Sequence, residues 1–142
     1  AARSRLGPDD RLDWTPPAEP LPAPADPALV RSALENLIDN AIKYSQAPRA
    51  IAVTLVARDG AAEVGVHDAG IGFEERSARR VFEPFQRGGD EETRQRKGTG
   101  LGLFIVRGIA ETHGGRAFIG PRAGGAAGTT AGFTISLRRK DA

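Results

Sequence analysis

The chain has 142 residues, enough for one domain built around a single hydrophobic core. Apolar residues make up 39% and charged residues 27%, and the net charge of +2 is spread among interleaved acids and bases, which favours an ordinary solvated surface over a nucleic-acid footprint. No apolar run is long enough to cross a bilayer, no signal-peptide pattern opens the chain, and the absence of cysteine excludes disulfides and thiolate metal sites and fits a reducing compartment.

Seven of the ten prolines fall between Pro8 and Pro27. Trp14 to Ala25 therefore reads as extended, with at most an edge strand, inside a Pro-rich N-terminal extension over residues 1–25. Asp26-Pro27 makes a strong helix start, because the Asp side chain can cap free amides and Pro is tolerated in the first turn. The helix should run to about Ser45, ended by Gln46, Ala47 and Pro48. At about 100° per residue, Val30, Leu34, Leu37, Ile38 and Ala41 form one apolar stripe, while Arg31 and Glu35 pair one turn apart on another side. Asn36, Asn40 and Lys43 share a strip beside the apolar stripe, with Tyr44 at its margin. Asn40 offers a neutral carboxamide oxygen, a hard ligand suited to Mg2+ when phosphates supply the other oxygens. Lys43, one turn further on, can meet phosphate charge. Read alone, this helix is better explained as a surface helix with solvated asparagines.

Ile51–Ala57 and Ala62–His67 are β-type runs around Asp59-Gly60, a hairpin signal. By alternation Asp68 lies on the face of Val64 and Val66, toward the core. A buried carboxylate needs a partner, and the exocyclic amine of a purine is one. Gly70 and Gly72 allow backbone to approach a flat ring; a capped turn with flexible glycines accounts for them equally well. Glu74–Val81 reads as a short helix or turn, Phe82 and Phe85 as a hydrophobic anchor, and Gly88–Gly98 as a mobile polar surface loop. Arg87, Arg94, Arg96 and Lys97 could reach phosphate oxygens if that loop folded over a nucleotide, although solvated charge is the default for each.

Gly98-x-Gly100-x-Gly102 opens into an apolar helix, Leu101–His113, stopped by Gly114-Gly115. Its backbone amides and helix N-terminus suit phosphate. The spacing matches neither a Walker A loop nor the dinucleotide fingerprint. His67 reads as a strand residue, and His113 as a helix-end residue where a cation suits the dipole. Two last strands, about Arg116–Gly120 and Thr130–Leu137, flank a glycine-rich connection to which no role is assigned. The element order predicts an α/β (α+β) two-layer sandwich: a mixed, mainly antiparallel sheet with helices on one face.

Asn40 with Lys43 and Tyr44, Asp68-x-Gly70-x-Gly72, Phe82-x-x-Phe85 and Gly98-x-Gly100-x-Gly102 stand in the order of the N, G1, F and G2 boxes of sensor histidine kinases. From about Asp26 to Leu137 the chain resembles their catalytic, ATP-binding domain, a member of the wider Bergerat-fold ATPases with gyrase, the Hsp-type chaperones and MutL-type repair proteins. The resemblance implies a Bergerat ATP-binding fold over residues 26–138, a C-terminal tail at 139–142, and ATP and Mg2+ as cofactors. It implies that Asn36, Asn40 and Lys43 are the catalytic set, with the metal on Asn40. Tyr44 would pack near the base or ribose, Asp68 would bind the adenine amine, and Gly70 and Gly72 would shape the adenine floor. Phe85, Arg87, Lys97, Gly98, Thr99, Gly100, Leu101, Gly102 and Leu103 would complete the nucleotide site, under a lid formed by Gly88–Lys97.

Gyrase-like relatives carry a Glu base one turn before the metal Asn. Here that position is Asn36, and Glu35 points about 100° away. Such a site suits phosphoryl transfer to an imidazole, already nucleophilic when neutral. Neither His67 nor His113 lies in a phospho-acceptor motif, and the chain lacks methionine, so a segment of something longer is expected. The resemblance implies an acceptor His on a dimerisation hairpin preceding Ala1, a response regulator receiver domain as second partner, and a homodimeric full-length protein. It implies no nucleic-acid partner, no membrane contact by this domain, and a cytoplasmic location, including the cytoplasmic portion of a membrane-bound sensor. An anti-sigma-factor-type Ser/Thr kinase and a non-catalytic nucleotide-binding regulatory module are the alternative readings.

Overall fold

The computed structural model describes residues 6–70, 101–122 and 128–138. The expected anchor at Phe82 and Phe85, the lid, and the short helix at Glu74–Val81 lie outside them. The described elements run β1 (Arg11–Thr15), α1 (Pro27–Lys43), β2 (Ala50–Arg58), β3 (Ala61–Asp68), α2 (Leu101–Thr112), β4 (Ala117–Pro121) and β5 (Thr129–Ser136).

The strands form one sheet in the order β1-β2-β3-β5-β4. β1 pairs with β2 in parallel across α1, and every other pairing is antiparallel. The edge strand starts before Trp14, because the run from Arg11 to Thr15 contains no proline, and Pro16-Pro17 follow it and cannot donate to a ladder. At the β2–β3 turn Asp59 and Gly60 take φ of 54° and 78°, the two positive angles a tight two-residue hairpin requires.

Asp26 caps α1 as its sequence position predicts: Oδ1 accepts from the amides of Ala28 at 2.9 Å and Leu29 at 3.3 Å. The helix ends at Lys43 rather than Ser45, since Tyr44 leaves helical geometry and the Ser45 hydroxyl turns back to donate to the Ala41 carbonyl at 2.6 Å. The buried face holds Leu37, Ile38 and Ala41 of the predicted stripe, joined by Ala33 and Ile42, while Val30 and Leu34 lie at its edge. This face packs with Leu103, Val106, Ile109 and Ala110 of α2 against Ile51, Val53, Val66, Ala131, Phe133 and Ile135 of the sheet. Burial of these side chains, about 1.5–3 kcal/mol for each large one, is what holds both helices to the same face.

One expectation is overturned at the end of α2. The Asp26 backbone amide donates to His113 Nε2 at 3.1 Å, and His113 Nδ1 lies 2.8 Å from the Ile109 carbonyl. A carbonyl can only accept and an amide can only donate, so the ring is the neutral Nδ1–H tautomer here, not a cation serving the helix dipole. The bond ties the start of α1 to the end of α2, so the two helices run in opposite directions.

Candidate functional site

The two asparagines of α1 are oriented by their own helix. Asn36 Nδ2 donates to the Ser32 carbonyl and Asn40 Nδ2 to the Asn36 carbonyl, both at 2.8 Å. With the amide donors engaged, each Oδ1 is left as an acceptor, and among the described residues neither receives a hydrogen bond. Asn40 is nonetheless only 8% exposed.

Across from them stands the first turn of α2. A Cβ on Gly102 would lie 3.0 Å from Asn36 Oδ1 and 3.3 Å from Asn40 Nδ2. Glycine thus brings a helix N-terminus, with its positive potential, against two carboxamides. Lys43 closes α1 one turn beyond Asn40. Neutral acceptor oxygens, a cation and a helix N-terminus together suit a polyphosphate with a hard divalent cation.

Asp68 ends β3 at 2% exposure, on the inward face as alternation predicts. Its Oδ1 accepts from the Gly70 amide at 2.9 Å, an Asx-type turn. Gly70 permits a close approach to backbone: a Cβ there would collide with the Tyr44 carbonyl and come within 2.8 Å of Ser45 Cα. Tyr44 is buried, not marginal. The Asp68 turn is therefore wedged against the C-terminal cap of α1.

On its other side lies the head of β5, at the glycine-rich connection to which the sequence assigns no role. Gly128, at φ 117°, has no room for a side chain against the Asp68 carbonyl, and the fully buried Thr129 pairs in register with Asp68 on the same face. A signal for both existed. If the last strand pairs antiparallel with β3, the Gly-Thr step at its head falls beside Asp68.

Leu103 lies in the core at 1% exposure and supports α2 from beneath. Gly72, Phe85, Arg87, Lys97, Gly98, Thr99 and Gly100 lie outside the described residues, and Leu101 is described in its backbone alone. His67 points to the opposite face of the sheet, 3.0 Å from Thr54 Oγ1 and 2.8 Å from Thr130 Oγ1. Burial, and secondly the charge of Arg122, hold it below the usual imidazole value, against the pull of Asp68 and Glu63.

The family of histidine kinase-, DNA gyrase B- and HSP90-like ATPases matches residues 25–141. The histidine protein kinase DivJ of Caulobacter vibrioides is 37% identical over 123 residues, which are 87% of this chain and 19% of that protein. Among solved structures, the mycobacterial sensor histidine kinase MprB is 30% identical with a TM-score of 0.71, covering 92% of this chain and 83% of that one. Full-length ShkA, solved in complex with AMPPNP, is 26% identical with a TM-score of 0.71, and 27% of it is covered. The chain thus spans a small part of the full-length kinases it matches. Fold and relatives agree, and the chain belongs to the histidine kinase-, DNA gyrase B- and HSP90-like ATPases as an ATP-binding catalytic domain of the sensor histidine kinase type.

Proposed function

We propose that this domain binds Mg-ATP between the end of α1 and the start of α2 and transfers the γ-phosphoryl to a histidine on a separate dimerisation hairpin. The observation that carries the proposal is the pair of self-oriented carboxamides, Asn36 and Asn40, facing Gly102 at the N-terminus of α2. The oxygen of the buried Asn40, accepting nothing from the described residues, fits a hard cation whose other ligands are phosphate oxygens. Mg2+ would supply charge neutralisation as the phosphoryl group leaves.

The chain's own residues have simpler tasks. Lys43 draws phosphate charge toward the end of α1, and the first turn of α2 offers amides to the same oxygens. Asp68 takes the adenine amine, held in place by the Gly70 amide, with Thr129 beside it. Asn36 stands where a carboxylate base would activate water. A carboxamide cannot serve as that base, so the site favours transfer over hydrolysis. ShkA, whose structure holds AMPPNP, supports an adenine nucleotide as ligand, and the sensor-kinase relatives support histidine as acceptor. A receiver domain as downstream partner and a homodimeric, cytoplasmically placed parent belong to the same proposal. Among the described residues no helix is long and apolar enough to cross a membrane.

The test is Asn40→Ala assayed for Mg-dependent phosphorylation of a supplied acceptor-hairpin domain. Transfer should be abolished, and undiminished transfer removes the metal assignment.

A further inference from the structure

Outside the family match, the segment before β1 reaches back to the nucleotide end of α1. Asp10 Oδ1 accepts from the Arg49 amide at 2.6 Å, and Oδ2 accepts from Arg49 Nη1 at 3.0 Å and from the Gly7 amide at 2.7 Å. The carboxylate is fully covered, with 0% side-chain exposure against 22% for Arg49. The amides of Arg49 and then Gly7, with further help from the guanidinium, hold it below the ordinary value of 3.8 against the opposing effect of burial. Arg49 Nε donates in turn to the Ile42 carbonyl at 3.2 Å.

That carbonyl belongs to the last turn of α1, where helix geometry leaves acceptors unpaired. Its other partner, the Ser45 amide, is distant at 3.4 Å. A guanidinium there satisfies the carbonyl and complements the negative helix end. Ile42 lies between Asn40 and Lys43, so whatever fixes its carbonyl fixes the turn that presents both. Productive metal and phosphate contacts tolerate misplacement of only about 0.5 Å.

We propose that Asp10 is a positioning residue for the phosphate end of the site, locking the Asn40–Lys43 turn through Arg49. The inference rests on the nucleotide reading above. It assigns to the segment preceding residue 25, where the family match begins, a part in setting ATP affinity.

The test compares Asp10→Asn, Arg49→Gln and the double variant, titrated with Mg-AMPPNP and separately with adenosine. Each single change should weaken Mg-AMPPNP about tenfold, the scale of one charge-assisted hydrogen bond, and adenosine by less than about threefold. The double variant should be no weaker than the weaker single, because the two residues act as one unit. Unchanged Mg-AMPPNP affinity overturns the proposal, as do equal losses for both ligands, which mark general destabilisation. Should Asp10→Asn fail to fold, Arg49→Lys keeps a cation for Asp10 but gives up the bond to Ile42, and it must show the same selective loss. A wild-type chain that does not bind Mg-AMPPNP overturns the nucleotide reading and this inference together, whereas normal wild-type binding with unaltered variants overturns the inference alone.

Discussion

Gly102→Ala separates stability from function in opposite directions. Replacing Gly by Ala in a helix favours folding by up to about 1 kcal/mol, or roughly 2–4 °C in melting temperature for a domain near this size. The new methyl, however, would sit 3.0 Å from Asn36 Oδ1 and 3.3 Å from Asn40 Nδ2, closer than ordinary van der Waals contact. Each carboxamide, a side-chain end, gives by a few tenths of an ångström, at the expense of its 2.8 Å bond to a backbone carbonyl and part of the gain in stability. The methyl also covers the oxygen that Asn36 turns toward α2. Losing one well-placed acceptor and shifting the second by a few tenths of an ångström should weaken Mg-ATP by about 10–100-fold, or roughly 1.4–2.7 kcal/mol. Thermal melting of the free domain together with calorimetric titration of Mg-AMPPNP measures both sides. An alanine variant that melts no lower than wild type and binds as tightly refutes the placement of the nucleotide between these helices.

Asp68→Asn should weaken ATP more than inosine triphosphate, which lacks the exocyclic amine; equal losses in parallel titrations count against the purine contact. Gly70→Ala drives a methyl into the Tyr44 carbonyl, and relieving that overlap should cost at least about 2 kcal/mol, or a drop of roughly 5 °C in melting temperature. A variant melting within about 1 °C of wild type, or ~0.3 kcal/mol, would show that this backbone contact is absent. His67 is held below 6.5, so the unfolded chain binds its proton more readily; stability present above about pH 6.5 is lost as pH falls through the lower folded value. The difference in urea midpoint between pH 7.5 and pH 5 should therefore shrink in His67→Gln, and an undiminished difference assigns the acid sensitivity to other groups.

What was legible in the sequence was local. The cap at Asp26 and the turn at Asp59-Gly60 declare themselves within a few residues, because capping and positive φ depend only on near neighbours. Alternation placed Asp68 inward with Val66, since the period of a strand is independent of what covers it. The pairing of β1 was less legible. Parallel strands meet only across a crossover, and nothing in Arg11–Thr15 announces a partner beyond α1. His113 misled for a related reason. Its place at a helix end suggests a cation, but the deciding contact is the amide of Asp26, far earlier in the chain.

The same division runs through the site. A step of about 100° per residue put Asn36, Asn40 and Lys43 on one strip, but not the fact that Gly102 would face them. A glycine in a sequence states that something comes close without stating what. At Gly70 the neighbour is the cap of α1, at Gly102 two carboxamides, and at Gly128 the carbonyl of Asp68. Removing side chains at these three places lets α1, α2, the Asp68 turn and β5 converge on one region. A carboxylate and two carboxamides are thereby brought to one region although they arise on separate elements, which is what the proposed nucleotide site requires. The convergence explains why no single motif was decisive when read alone. Each supplies one wall, and the chemistry exists only where the walls meet.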